Sequence, residues 1–166
     1  MDYKRIAKHL AFTPLHIRRR FPPAVLNNIA GAIRECEDSH AGEIRFAVEG
    51  ALPLAVLKAG KTARQRAIEV FSELRVWDTE HNNGVLIYLQ LADRKVEIVA
   101  DRGVHQLTGS ATWESICRDM ENQFHLDRFE EGAVAGIRAI GTCLAAHYPG
   151  HGGKLNELPD QPVVLG

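Results

Sequence analysis

The chain has 166 residues, 45% of them apolar and 25% charged, and its 20 Lys and Arg against 21 Asp and Glu leave a net charge of −1. That length suits one domain with a sizeable core, and the even charge balance excludes a protein built to coat nucleic acid, so no nucleic-acid partner is expected. No stretch approaches the ~20 apolar residues of a membrane span. Cys36, Cys117 and Cys143 form no CxxC. They read as small buried hydrophobes of a reducing compartment, without disulfides. The first twenty residues lack the apolar segment of a secretory signal, and the expected location is the cytoplasm.

Residues 1–21 read as a basic amphipathic arm. Lys4, Arg5, Lys8, Arg18, Arg19 and Arg20 stand against Asp2, a net of +5, with Ile6, Leu10, Phe12, Leu15, Ile17 and Phe21 interleaved. Such an arm suits weak contact with an anionic membrane, an acidic protein surface, or the chain's own acidic remainder. Pro22-Pro23 opens a helix over about 22–39, with Val25, Ile29, Ala32, Ile33 and Cys36 inward. Glu43 to Glu49 alternates with period two, a strand with one better-buried face. A loop or a single helical turn is expected around 53–58. Thr62 and Gln65 then have capping-box spacing for a helix with Ala67, Val70, Phe71 and Leu74 inward.

The run after Asn83-Gly84 (Val85 to Leu91) is nearly all apolar, which predicts a central strand covered on both faces. A tight turn at 92–94 returns it as the alternating strand 95–101, closing a β-hairpin. A short helical segment follows Gly103. Thr112 is placed to cap a helix lined by Trp113, Ile116, Cys117, Met120 and Phe124, and Asp127 with Glu130 to cap another running to Tyr148. Residues 149–166, with three Pro and four Gly, read as a flexible tail. The domain proper is therefore expected over 22–148, as a three-layer α/β/α sandwich with a small mixed sheet, one parallel crossover plus a hairpin, and C-terminal helices.

If the helix-linked strands are parallel, the loop 78–83, the turn 101–105 and Glu43 meet at one edge of the sheet. The candidate functional edge is thus Asp78, Glu80, His81, Asn82, Asn83, Asp101, Arg102 and His105. Its carboxylate and amide oxygens suit Ca²⁺ or Mg²⁺, with Asp78, Glu80 and Asp101 as the metal candidates. The alternative is a polar loop whose side chains cap turns, with Asp101 paired to Arg102. Gly60-Lys61-Thr62 resembles the end of a phosphate loop, but Ala55 stands where the upstream glycine is required. His147 and His151 are four apart with Pro149-Gly150 between them, which sets a metal pair against a solvated tail. No side chain reads as a phosphoryl nucleophile with an activating base, and catalytic residues stay unassigned.

Three segments, Glu43 to Glu49, Asn82-Asn83-Gly84-Val85-Leu86-Ile87-Tyr88-Leu89 and Val96-Glu97-Ile98-Val99-Ala100-Asp101-Arg102-Gly103-Val104, resemble the core of the TPM domain family, the domain of thylakoid-lumen phosphatase-like and photosystem II repair proteins. Trp113, Met120, Phe124, Phe129 and Gly132 extend the likeness. The resemblance implies an α/β/α sandwich, divalent-cation binding as in some relatives, and the acid-phosphatase activity attributed to a plant member. It points to the short bacterial subgroup without signal peptide or membrane anchor. From that it implies a non-catalytic protein, peripheral at the inner membrane, whose partner is a LemA-like membrane protein or another membrane-associated TPM protein. The alternative is a cation-binding or metal-dependent phosphatase-like protein using loops 78–83 and 101–105. Asn82 stands where many relatives carry an acid, His105 replaces a Glu, and Gly109 or Ser110 falls where another acid is expected.

Overall fold

The computed structural model describes residues 2–150 and 155–166. In chain order the elements are α1 (Tyr3–Leu10), α2 (Pro14–Arg20), α3 (Pro23–Glu37), β1 (Glu43–Glu49), α4 (Leu54–Lys58), α5 (Ala63–Glu73), β2 (Gly84–Gln90), β3 (Lys95–Ala100), α6 (Arg102–Thr108), α7 (Ser110–His125), α8 (Phe129–His147) and β4 (Val163–Leu165). The sheet runs β3-β2-β1-β4. β1 pairs parallel with β2 from Glu43–Gly84 to Glu49–Gln90, and β2 pairs antiparallel with β3. The crossover through α5 and the hairpin are thus those the periodicity implied. α5 starts at the reciprocal cap expected of it: Gln65 N–H donates to Thr62 Oγ1 at 3.2 Å, and Thr62 N–H to Gln65 Oε1 at 2.9 Å.

Alternation along the strands divides the core into two. Ile44, Phe46 and Val48 of β1 and Val85, Ile87 and Leu89 of β2 face α3, α7 and α8, where Ile33, Met120, Phe124, Ile137 and Ile140 are fully buried. Ala47, Leu86, Tyr88 and Val99 face the other way, onto Ala67 and Val70 of α5, Val76 and Leu158. The result is an α/β/α sandwich around a four-stranded mixed sheet. Residues 2–21 fold onto it. Ile17 and Phe21 belong to the larger core cluster, and the Phe21 ring lies 5.7 Å from Phe129 in edge-to-face contact.

The charged residues of β1 hold the second face together. Glu43, Arg45 and Glu49 are all buried. Glu43 Oε2 accepts from Leu158 N–H at 3.1 Å, and Arg45 Nη1 donates to Pro159 O at 2.7 Å and to Gln161 O. Burial draws the Arg45 guanidinium below its usual pKa, and nearby Asp160 opposes that. Glu49 accepts a two-pronged contact from Arg66 (3.0 and 3.1 Å) and the hydroxyl of Tyr88. Desolvation, then the Glu49 carboxylate, drives the Tyr88 phenol far above its ordinary pKa.

Two sequence expectations are corrected here. β1 has no better-buried face, because the carboxylates and guanidinium on its polar side are covered. The reason is the segment 155–166, expected to be a flexible tail: its described residues run along β1 and add β4 in parallel, Ala47 opposite Val163 and Glu49 opposite Leu165. Two helix starts also differ. Gly109, at φ +83°, permits a turn so tight that α7 begins at Ser110, and Thr112 Oγ1 donates back to Thr108 O. Asp127, at φ +57°, ends α7 in a left-handed turn instead of capping α8, whose cap position is Arg128.

Arg66→Ala would strand the Glu49 carboxylate in this core. Urea unfolding of that variant is expected to show a loss of about 3–5 kcal/mol, the cost of breaking one side of a buried ion pair.

Candidate functional site

The loop 78–83 and the turn after β3 do meet. Asp101 N–H donates to Gly84 O at 2.8 Å, and Glu43 N–H to Asn83 O at 3.2 Å, so β1, β2 and β3 share this edge. Asn83 is fully buried and works as a staple: its N–H donates to Thr79 Oγ1 (3.1 Å) and its Nδ2 to Ala41 O (2.9 Å). Its Oδ1 is buried with no hydrogen-bond partner among the described residues. Gly84 is required by crowding: a Cβ there would lie 2.1 Å from the Val76 carbonyl oxygen. The Asn-Gly pair is thus a strand start passing against another backbone segment.

Across from it, Asp101 caps α6. Its Oδ1 accepts from Arg102 N–H at 2.6 Å, and its Oδ2 is buried without a partner among the described residues. This corrects the expected Asp101–Arg102 ion pair: the carboxylate bonds the Arg102 main chain, and the guanidinium projects into solvent. A cap satisfies an otherwise orphaned N–H, which a carboxylate one residue before the helix is well placed to do. Gly103 fits where a Cβ would come within 3.0 Å of Asn82 O and 3.1 Å of Tyr148 Oη. Tyr148 therefore joins the site, its phenol pKa raised by burial and then by the Asp101 charge. Sequence reasoning took it only as the last apolar position of α8.

The remaining candidates disperse. Asp78 is exposed and pairs with Arg75 at 3.2 Å. Glu80 offers its main-chain N–H to Glu157 Oε2, while His81 and Asn82 (φ +50°) face solvent. His105 lines a different cleft, at the outer edge of β3. Asp78, Glu80 and Asp101 are therefore not gathered as a ligand set, and among the described residues no three His, Cys, Asp or Glu side chains come together for a metal ion. What the edge offers chemically is oxygen: two acceptors buried without donors among the described residues, Asn83 Oδ1 and Asp101 Oδ2, the second with its charge felt by the Tyr148 phenol. His151, the second member of the sequence-derived His pair, lies outside the described residues.

A concavity of about 580 Å³ follows the outer edge of β3 between α5 and α7. Side chains occupy the unpaired strand groups there. Val96 N–H donates to Glu121 Oε1 (3.1 Å), and Arg64 donates to Ile98 O. Such capping hinders edge-to-edge association. Cys117 lies against the same strand, its thiol pushed up to about 12 by burial and by Glu97.

The fold matches known proteins. The model of the TPM domain aligns with residues 20–143. The chain belongs to the TPM domain family. The NMR structure of the BA42 protein from the psychrophilic bacterium Bizionia argentinensis is 30% identical, with a TM-score of 0.74 over 86% of this chain and 93% of that one. The N-terminal domain of a P. gingivalis protein is 22% identical (TM-score 0.57; 73% and 75% covered) and shares the fold. So does that of the Corynebacterium glutamicum cg2496 protein at 12% identity (TM-score 0.54; 80% and 78% covered). No curated protein matches the chain. The TPM domain here carries no helix, among its described residues, long and apolar enough to cross a membrane.

All three cysteines are free thiols. Because the raised pKa keeps Cys117 protonated through neutrality, thiol titration of the native TPM domain at pH 8 should leave Cys117 unreacted, and denaturation should release all three. Rapid native labelling of Cys117 would mean that the β3 edge is open.

Proposed function

We propose that this TPM domain is a non-catalytic module that acts through a membrane-associated protein partner, of the LemA-like or TPM type implied by its family resemblance. The observation that supports this reading is the division of labour at the loop edge. Asn83 and Asp101 are spent on the fold, stapling strand starts and capping α6, whereas Glu80, His81, Asn82 and Arg102 project from that rigid frame into solvent. A fixed array of mixed charge and amide groups is what a protein surface recognises. It supplies no nucleophile activated by a neighbouring base, the minimum for phosphoryl transfer. Hydrolysis of p-nitrophenyl phosphate should therefore stay at background with Ca²⁺, Mg²⁺ or Mn²⁺. Turnover above background that is lost in Asp101→Asn would overturn the reading.

A second reading, divalent-cation binding at the same edge, is favoured by one specific observation: Asp101 Oδ2 is buried without a donor among the described residues. The Asp101 carboxylate would hold the ion, which would neutralise its charge and satisfy Oδ2. Binding to the native state alone adds about 2.7 kcal/mol at a hundredfold excess over Kd, or roughly 2–4 °C of melting temperature per kcal/mol for a chain of this size. Thermal melts with Ca²⁺ and with EDTA decide it. A rise of several degrees in wild type, absent in Asp101→Asn, supports the site, and superimposed melts reject it.

A further inference from the structure

The two N-terminal helices present an outward face for which the fold has no use. In α1 the inward side chains are Arg5, Ile6 and His9, and the outward ones are Tyr3, Ala7 and Leu10, one turn apart, flanked by Lys4 and Lys8. In α2 Ile17 is buried, while Leu15, Arg18 and Arg19 point out. Tyr3, Leu10 and Leu15 are 75%, 68% and 73% exposed, and among the described large apolar residues only Leu155 is more so. Three such groups fall within thirteen positions, and the same two helices carry the exposed cations Lys4, Arg18 and Arg19.

This face is held in place by a dedicated fastening. Leu52 N–H donates to Nδ1 of buried His9 at 2.9 Å, which leaves the ring proton on Nε2, 3.1 Å from Asp93 Oδ2. The same carboxylate takes Arg5 at 2.9 Å and Lys8 at 3.7 Å. Ile17 and Phe12 lie over Gly50, where a Cβ would come within 2.5 Å of Ile17 Cδ1. Asp93 sits in the β2–β3 turn, and Gly50 and Leu52 follow β1. The fastening is therefore at the end of the sheet opposite to Asn83 and Asp101.

We propose that the outward face of α1 and α2 docks on an anionic lipid surface. Leu10, Leu15 and the Tyr3 ring enter the headgroup boundary, and Lys4, Arg18 and Arg19 lie among the lipid charges, while Lys8 stays with Asp93. The leucines project from helix faces beside cations with long stems, a geometry that matches a soft, two-dimensional anionic interface better than the groove-and-anchor pattern of a protein partner. Docked this way, the molecule turns the loops 78–83 and 101–105 away from the bilayer. The inference concerns a separate surface and stands whether or not those loops recruit a partner.

Flotation of the full-length protein with protein-free vesicles tests it. The vesicles are of phosphatidylglycerol and phosphatidylcholine in equal parts, compared with phosphatidylcholine alone. Binding is expected only to the anionic vesicles, and it should fall steeply as salt shortens the Debye length towards ~3 Å at 1 M. Leu10→Ser with Leu15→Ser should weaken it about tenfold, and Lys4→Glu with Arg18→Glu should abolish it. All four side chains are exposed, so both double variants should keep the wild-type melting temperature. Equal binding to both vesicle types, or none to either, would overturn the proposal. So would anionic binding insensitive to the leucine pair, which would show that the apolar groups take no part in it.

Discussion

Three charged side chains on the inward-facing polar edge of one strand govern this structure. Glu43, Arg45 and Glu49 alternate along β1 and are all taken out of water. An unpaired charge in such a place costs several kcal/mol against a total stability of roughly 5–15. Each must therefore find partners, and each finds them far away in the chain: the Leu158 amide, the Pro159 and Gln161 carbonyls, and the Arg66 guanidinium with the Tyr88 hydroxyl. These bonds draw the segment 155–166 across the sheet and set α5 against it. The second, smaller core is as much a consequence of satisfying charge as of burying Ala47, Leu86 and Val99.

From that constraint the two ends of the sheet acquire different characters. At the start of β1 and β2 the backbone is crowded, with Gly84 against Val76 and Gly103 against Asn82 and Tyr148. Asn83 and Asp101 spend their hydrogen bonds on stapling that crowd, and each keeps one buried oxygen in reserve. At the other end the hairpin turn offers Asp93, where Arg5, Lys8 and His9 converge and bind α1 to the domain. Arg5 and His9 outweigh the effect of burial and hold the Asp93 carboxyl below its usual pKa. A depressed carboxyl stabilises the fold fully above its unfolded pKa, about 3.9, and that support is lost as the pH falls through the folded value. The grip on α1 is therefore intact across the neutral range.

Much of the sheet was legible because hydrophobic period reports burial locally. The apolar run of β2, the alternation of β3 and the Thr62–Gln65 cap carry their structure in a handful of neighbouring residues. The parallel crossover followed from chain connectivity, and with it the meeting of Asn83 and Asp101. β4 was not legible, since residues 155–166 have the Pro and Gly content of a tail and are ordered by side chains on another strand. Nor did sequence separate Asp101, whose carboxylate a helix start claims, from Asp78, which meets only Arg75 at the surface. Tyr148 gave no signal because its role depends on the space above Gly103. The family likeness supplied the fold at once, but an acid expected before the Asn-Gly is Asn82 here, so the likeness alone could not assign the edge its chemistry.

Deleting residues 155–166 and following urea unfolding together with amide exchange tests the primacy of the β1 charges most directly. If Glu43 and Arg45 depend on that segment, the shortened chain loses at least about 3 kcal/mol, and exchange protection falls along β1 before it falls in α3, α7 and α8. An unchanged unfolding midpoint, with β1 amides as protected as in the full chain, would show that the buried charges are satisfied without it and would contradict the role given to them here.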